Sequence, residues 1–213
     1  MKGDDYMPDR KKIEELSEFE FDVLKEISNI GTGNAATAIS TMLGGQVGIE
    51  VPVIKFLNFS ELSEIIGGAE NEVIGILVTL NEDIDGMMMF VMDTHSATIV
   101  VNHLLMKENE EEKLECNDMV KSALAEFGNI VAGSYLSAVA KLTGLVCSPS
   151  VPALSHDMAG AVLSVPAIEF GKVSDKVLLI QSVFEYNNKK AEGFFILVPT
   201  LRAFDTIFEK LGL

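Results

Sequence analysis

The chain has 213 residues, 48% of them apolar, and sets 16 Lys and Arg against 32 Asp and Glu for a formal net charge of −16. That length supports one sizeable domain or two small ones with an ample core, and the apolar content excludes a disordered chain. So acidic a surface repels phosphate backbones and anionic lipid, which argues against nucleic acid or a membrane surface as partner and favours one with a basic face or a cation-bearing active site.

Residues 1–18 contain no apolar core of the kind a signal peptide needs and are expected to form a polar N-terminal tail. Val23, Leu24, Ile27 and Ile30 recur at helical spacing and predict a helix over 19–43. A strand follows at 47–57, a short helix at 59–66, a pair of strands at 72–80 and 85–92, and a closing helix at 95–106. The runs VIGILVTL and GMMMFVM are strand-sized, far short of a membrane span. They read as half or fully buried strands, with Met87, Met88 and Met89 as core packing rather than a cofactor box. The acidic stretch KENEEEKLE opens a solvated linker over 107–118. Beyond it the same order returns: a helix at 119–143, a strand at 146–152, a short helix at 155–163, strands at 176–186 and 193–199, and a helix at 201–211.

This is an internal repeat. Shifted by 100, EISNIGTGNAATAIS realigns with EFGNIVAGSYLSAVA: Glu26 meets Glu126, Asn29 meets Asn129 and Gly33 meets Gly133, while Gly44 and Pro52 meet Gly144 and Pro152. The expected architecture is therefore one α/β domain of α+β type over 19–213. It has two pseudo-twofold halves, 19–106 and 119–211, sharing a β-sheet flanked by long exposed helices.

The repeat settles one ambiguity. Gly31, Gly33 and Ala36 spell a G-x-G-x-x-A that elsewhere cradles a pyrophosphate, but such a loop needs a strand before the first glycine and a helix opening at it. Here the glycines fall inside a helix, and the second copy replaces the motif with Val131, Gly133 and Leu136. The dinucleotide reading fails. The two cysteines, Cys116 and Cys147, form no C-x-x-C pair and suit a reducing cytoplasm. His95, His103 and His156 show no ligand-like grouping.

Both copies keep D/S-x-x-x-E-x-x-N. At 100° per residue Asp22, Lys25, Glu26 and Asn29 share one side of the first helix, with Val23, Leu24, Ile27 and Ile30 on the other. Ser122, Glu126 and Asn129 stand opposite Ala123, Leu124, Phe127 and Ile130 in the same phase. Gly33 and Gly133 follow each Asn by one turn, and a missing side chain there lets another protein come close. From Asn29 to Leu43 a helix climbs roughly 21 Å, and the strand from Gln46 to Pro52 returns about 20 Å. Pro52 is thus expected near the level of Asn29, and Pro152 near Asn129. Spacing alone leaves two readings open: a functional face, or ordinary solvated residues copied by duplication.

The pattern D/S-x-x-x-E-x-x-N followed by 22 residues and a proline resembles the signature of the CheC/CheX/FliY phosphatases of bacterial chemotaxis. Asp22, Glu26, Asn29 and Pro52 match it, as do Ser122, Glu126, Asn129 and Pro152. The resemblance covers about residues 19–213; two signatures without appended flagellar-switch regions resemble the CheC branch. It implies a substrate, the response regulator CheY carrying an aspartyl phosphate. It also implies roles: Asn29 and Asn129 position the attacking water, Glu26 and Glu126 pair with a lysine of the regulator, and Asp22, Pro52, Ser122 and Pro152 support them. No cofactor is expected on this chain, because Mg²⁺ would belong to phosphorylated CheY. The family further implies a second partner, the receptor deamidase CheD, docking on a short helix placed here at Leu154–Ala161, with Asp157 and Met158 as contacts. The alternatives are a non-catalytic adaptor that sequesters phosphorylated CheY or CheD, and a structural flagellar-switch subunit.

Overall fold

Two helices of 26 residues each, α1 (Glu18–Leu43) and α4 (Asp118–Thr143), begin and end on copied chemistry. The Ser17 hydroxyl accepts the N–H of Glu20, whose carboxylate accepts the Ser17 N–H at 2.7 Å; Asn117 caps α4 by accepting the N–H of Val120 at 3.0 Å. Both helices stop at a glycine in the left-handed region, Gly44 (φ 65°) and Gly144 (φ 71°), whose N–H groups bond back to Ser40 and Ala140. The computed structural model that shows this describes residues 17–50, 53–106, 114–170, 176–186 and 189–213.

After α1 come β1 (Gly48–Ile49), β2 (Val53–Asn58), α2 (Phe59–Ile65), β3 (Glu72–Glu82), β4 (Gly86–Asp93) and α3 (Thr94–Leu104). After α4 come β5 (Cys147–Pro149), β6 (Ala153–Met158), α5 (Ala159–Phe170), β7 (Lys176–Tyr186), β8 (Lys189–Pro199) and α6 (Leu201–Lys210). Among the described residues the eight strands form one antiparallel sheet. Its order is β1 and β2 on β7, then β8, β4 and β3, then β5 and β6 on β3. The copies thus exchange strands: β2 of the first lies on β7 of the second, and β6 of the second lies on β3 of the first.

The pseudo-twofold axis can be placed from the helix caps. Asp93 caps α3 and Thr200 caps α6. Four residues before them lie Met89 and Ile196, which pair directly where β4 meets β8 at the centre of the sheet. One face of the sheet carries α1, α3, α4 and α6, where Leu24, Ile27, Leu124, Phe127 and Val131 pack against Ile76, Phe90, Ile180 and Phe195. The other carries α2 and α5, with Leu62, Val162 and Leu163 against Val73, Met89, Val91 and Ile196. Because β4 is covered on both sides, Met88 belongs to one core and Met89 to the other, and the strand reads as an unbroken apolar run. The methionines are core, as their sequence suggested.

Three expectations need correction. The strand placed at 47–57 divides into β1 and β2, and that at 146–152 becomes β5 followed by β6. The strand placed at 193–199 starts at Lys189, since Lys189, Lys190, Ala191 and Glu192 pair along β7. The short helix placed at 155–163 begins at Ala159 and runs to Phe170. Leu154 to Met158 are strand because the exposed edge of β3 offers six successive pairing positions, Glu72 to Leu77, to β6. Asp157 and Met158 therefore end a strand and lie just before the helix on which the sequence placed them.

Candidate functional site

The faces of α1 and α4 divide as helical periodicity demands. On α1, Leu24, Ile27, Gly31, Ala35 and Ile39 are buried, whereas Asp22, Lys25, Glu26, Asn29 and Gly33 are exposed. On α4, Leu124, Phe127, Val131 and Tyr135 are buried, whereas Ser122, Glu126 and Asn129 are exposed. Both helices lie on the same face of the sheet and pack against each other. Each thus presents a carboxylate and, one turn along, a carboxamide to solvent. Among the described residues neither Glu26 nor Glu126 makes an ion pair, and the carboxamides of Asn29 and Asn129 have no hydrogen-bond partner. A Cβ added at Gly33 or Gly133 would meet nothing within 4 Å, so the surface beside each Asn is open.

The helices meet where a glycine faces an aromatic ring. A Cβ at Gly31 would stand 2.7 Å from Tyr135 Cδ1, so only glycine admits the ring there. The Tyr135 hydroxyl is hydrogen-bonded to the Thr32 hydroxyl, and the ring packs on Phe195 with centroids 4.7 Å apart. Burial pushes the Tyr135 phenol up to about 12, the Thr32 hydrogen bond pulling the other way. Sequence reasoning passed over this contact. Its signal was the complementarity of two buried stripes, Gly31 and Ala35 on one helix against Val131 and Tyr135 at the same repeat positions of the other.

Pro52 lies outside the described residues. Pro152 directly precedes β6, which opens at Ala153. Gly128, next to Asn129, rides so closely on β3 that a Cβ there would be 2.5 Å from Ile76 Cγ2. Ile76 pairs with Leu154, two residues beyond Pro152.

The two sites differ in their charged neighbours. On α1 the Lys25 ammonium stands 3.2 Å from Asp22 Oδ1 and 4.6 Å from the centre of the Phe21 ring. On α4 the same three positions are Lys121, Ser122 and Ala125. Asp157 and Met158 lie away from both Asn residues. Asp157 lines a groove of about 210 Å³ formed by β3, β4, β6 and α5, with Leu77, Met89, Val162 and Val165.

Comparison with known proteins places this arrangement. The chain is 36% identical over 200 residues to the CheY-P phosphatase CheC of Bacillus subtilis (strain 168), covering 92% of this chain and 96% of that protein. The chain belongs to the CheC-like family. The family model of that description matches residues 19–56 and 119–156, one span per copy, each holding a full D/S-E-N-P set. The flagellar motor switch phosphatase FliY of the same organism is 28% identical over 127 residues, 60% of this chain and 33% of that longer protein. In three dimensions the chain resembles Thermotoga maritima FliY with a TM-score of 0.73 at 21% identity, covering 92% of this chain and 98% of that one, a likeness of fold. The CheC-like fold that the resemblance implied is the one observed.

Proposed function

We propose that the chain is a phosphatase of phosphorylated CheY that works at two sites, one on α1 and one on α4. The observation that carries this is a pair of carboxamides, Asn29 and Asn129, with no hydrogen-bond partner among the described residues, each one turn from a carboxylate with no ion pair among them, on an open helix face. In an aspartyl phosphate the phosphorus already has a good leaving group. Hydrolysis needs an in-line water more than a strong base, since the transition state is loose. The water oxygen bonds to phosphorus as the bond to the aspartate oxygen breaks, releasing the carboxylate and inorganic phosphate. A carboxamide both donates and accepts, so each Asn holds that water without titrating. Glu26 and Glu126 dock the regulator by pairing with a lysine at its active site, and the regulator brings its own Mg²⁺. Pro152 fixes the backbone at the entry to β6, and Pro52 is assigned the same part from its matching place in the signature.

We place this activity in the cytoplasm and propose CheD as a second partner, on the opposite face of the sheet. There Met158, Val165 and Ile168 are exposed apolar side chains at the β6–α5 corner, beside the groove that Asp157 lines. Occupation of that face leaves both Asn residues accessible.

The test follows decay of phosphorylated CheY in Mg²⁺, with the intact protein, Asn29→Ala, Asn129→Ala and the double variant, each with and without CheD. Acceleration that falls in each single variant and vanishes in the double is the expected result. An intact protein that binds phosphorylated CheY and leaves its decay unchanged would sink the phosphatase reading in favour of a sequestering adaptor.

A further inference from the structure

We propose that Asp22 is a positioning residue that holds Lys25 away from Asn29, keeping the α1 site open. This rests on the phosphatase reading above and adds a role for the first signature position, at which the two copies differ. On a helix Lys25 has neighbours one turn away in each direction: Phe21 and Asp22 toward the N-terminus, Asn29 toward the C-terminus. Its ammonium lies on the N-terminal side, 3.2 Å from Asp22 Oδ1 and 4.6 Å from the Phe21 ring centre. A carboxylate and a ring face both attract an ammonium. Asn29, at the i+4 position, is the acceptor the lysine would reach without them, and an ammonium on its carboxamide oxygen would occupy the atom that must hold the water.

The second copy supplies an internal control. Where α4 has Ala125 in place of the lysine, it also has Ser122 in place of the aspartate and Lys121 in place of the phenylalanine. With no lysine at position 125, one turn before Asn129, neither the carboxylate nor the ring is needed. The ion pair is solvent-exposed, with side chains 46% and 69% accessible for Lys25 and Asp22. Such pairs contribute little to stability, which fits a role in holding a side chain rather than in holding the fold.

The experiment isolates the α1 site with Asn129→Ala and measures phosphorylated CheY turnover across substrate concentrations. Three proteins are compared: N129A, D22S/N129A and D22S/K25A/N129A. In the second, kcat is expected to fall roughly fivefold, the population factor of one net hydrogen bond, with half-saturation little changed and the thermal midpoint unmoved. In the third, which carries the α4 residues at both positions, kcat recovers. A D22S/N129A enzyme as fast as N129A overturns the proposal, and so does a slow one that K25A fails to rescue. A loss confined to half-saturation also overturns it, since that would be a docking effect. If N129A is inert while Asn29→Ala remains active, α1 is not a turnover site and the proposal falls alone. If the intact protein is inert, the phosphatase reading falls and takes the proposal with it.

Discussion

Gly31 and Gly33 stand two residues apart in α1, and replacing each with alanine separates a packing requirement from a docking one. Either substitution gains the same intrinsic helix propensity, about 1 kcal/mol. At Gly33 the new methyl meets nothing within 4 Å; at Gly31 it lands 2.7, 2.9 and 3.0 Å from three carbons of the Tyr135 ring. That ring has little room to retreat, because its hydroxyl is bonded to Thr32 and Phe195 packs against it. Forcing a methyl into such a contact costs about 1–3 kcal/mol. The propensity gain cancels between the variants, so Gly31→Ala should be less stable than Gly33→Ala by about 1–3 kcal/mol. For a chain of this size that separates their thermal midpoints by roughly 2–12 °C. Thermal and urea unfolding of both variants beside the parent protein reads the difference directly. Equal stability of the two would refute the claim that the ring confines position 31. Gly33→Ala should also melt slightly above the parent yet turn over phosphorylated CheY more slowly, because its methyl stands on the face the regulator must approach.

Three further outcomes follow from burial and capping. Tyr135 has a folded-state value of about 12 against an ordinary 10, so its contribution is fully present below pH 10 and is lost as pH rises through 12, on the order of 3 kcal/mol. Tyr135→Phe should flatten that part of the alkaline stability profile in urea titrations at pH 8 to 11.5; an unchanged profile would place the loss elsewhere. Leu124 is fully buried beneath α4, and Leu124→Ala should lower the unfolding free energy by about 3–5 kcal/mol. Asp93 accepts the Ser96 N–H at 2.6 Å. Asp93→Ala should cost about 1 kcal/mol, and Thr200→Ala, at the equivalent cap of α6, should cost a similar amount.

The long helices and their exposed Glu and Asn were legible because two copies carried the same period, so a chance pattern in one had to recur in the other. The short helix was misplaced where the repeat was not applied: shifted by 100, the observed β2 (Val53–Asn58) predicts strand to Met158 and helix from Ala159, as the structure has it. The exchange of β2 and β6 between copies had no local signal. A half-buried edge strand carries the same alternation whichever strand it pairs with, and the choice is made by chain segments more than 100 residues apart in the case of β2 and β7. Asp22 and Lys25 were placed on the right face by geometry, but their ion pair depends on rotamers that periodicity does not specify.

The crossed strands also decide how the chain must be made. When the ribosome has released α1 to α3, β4 still lacks its partner β8 and β3 still lacks β6, so both margins of the nascent hairpin are unsatisfied. At roughly 5–20 residues per second, the remaining hundred or so take on the order of 5–20 s to arrive. For that interval the first half is a template for the wrong strand, including the same segment of a neighbouring nascent chain. The strands that close both margins, β6 and β8, come last in the chain, so the first half reaches its final pairing only when the second has been made.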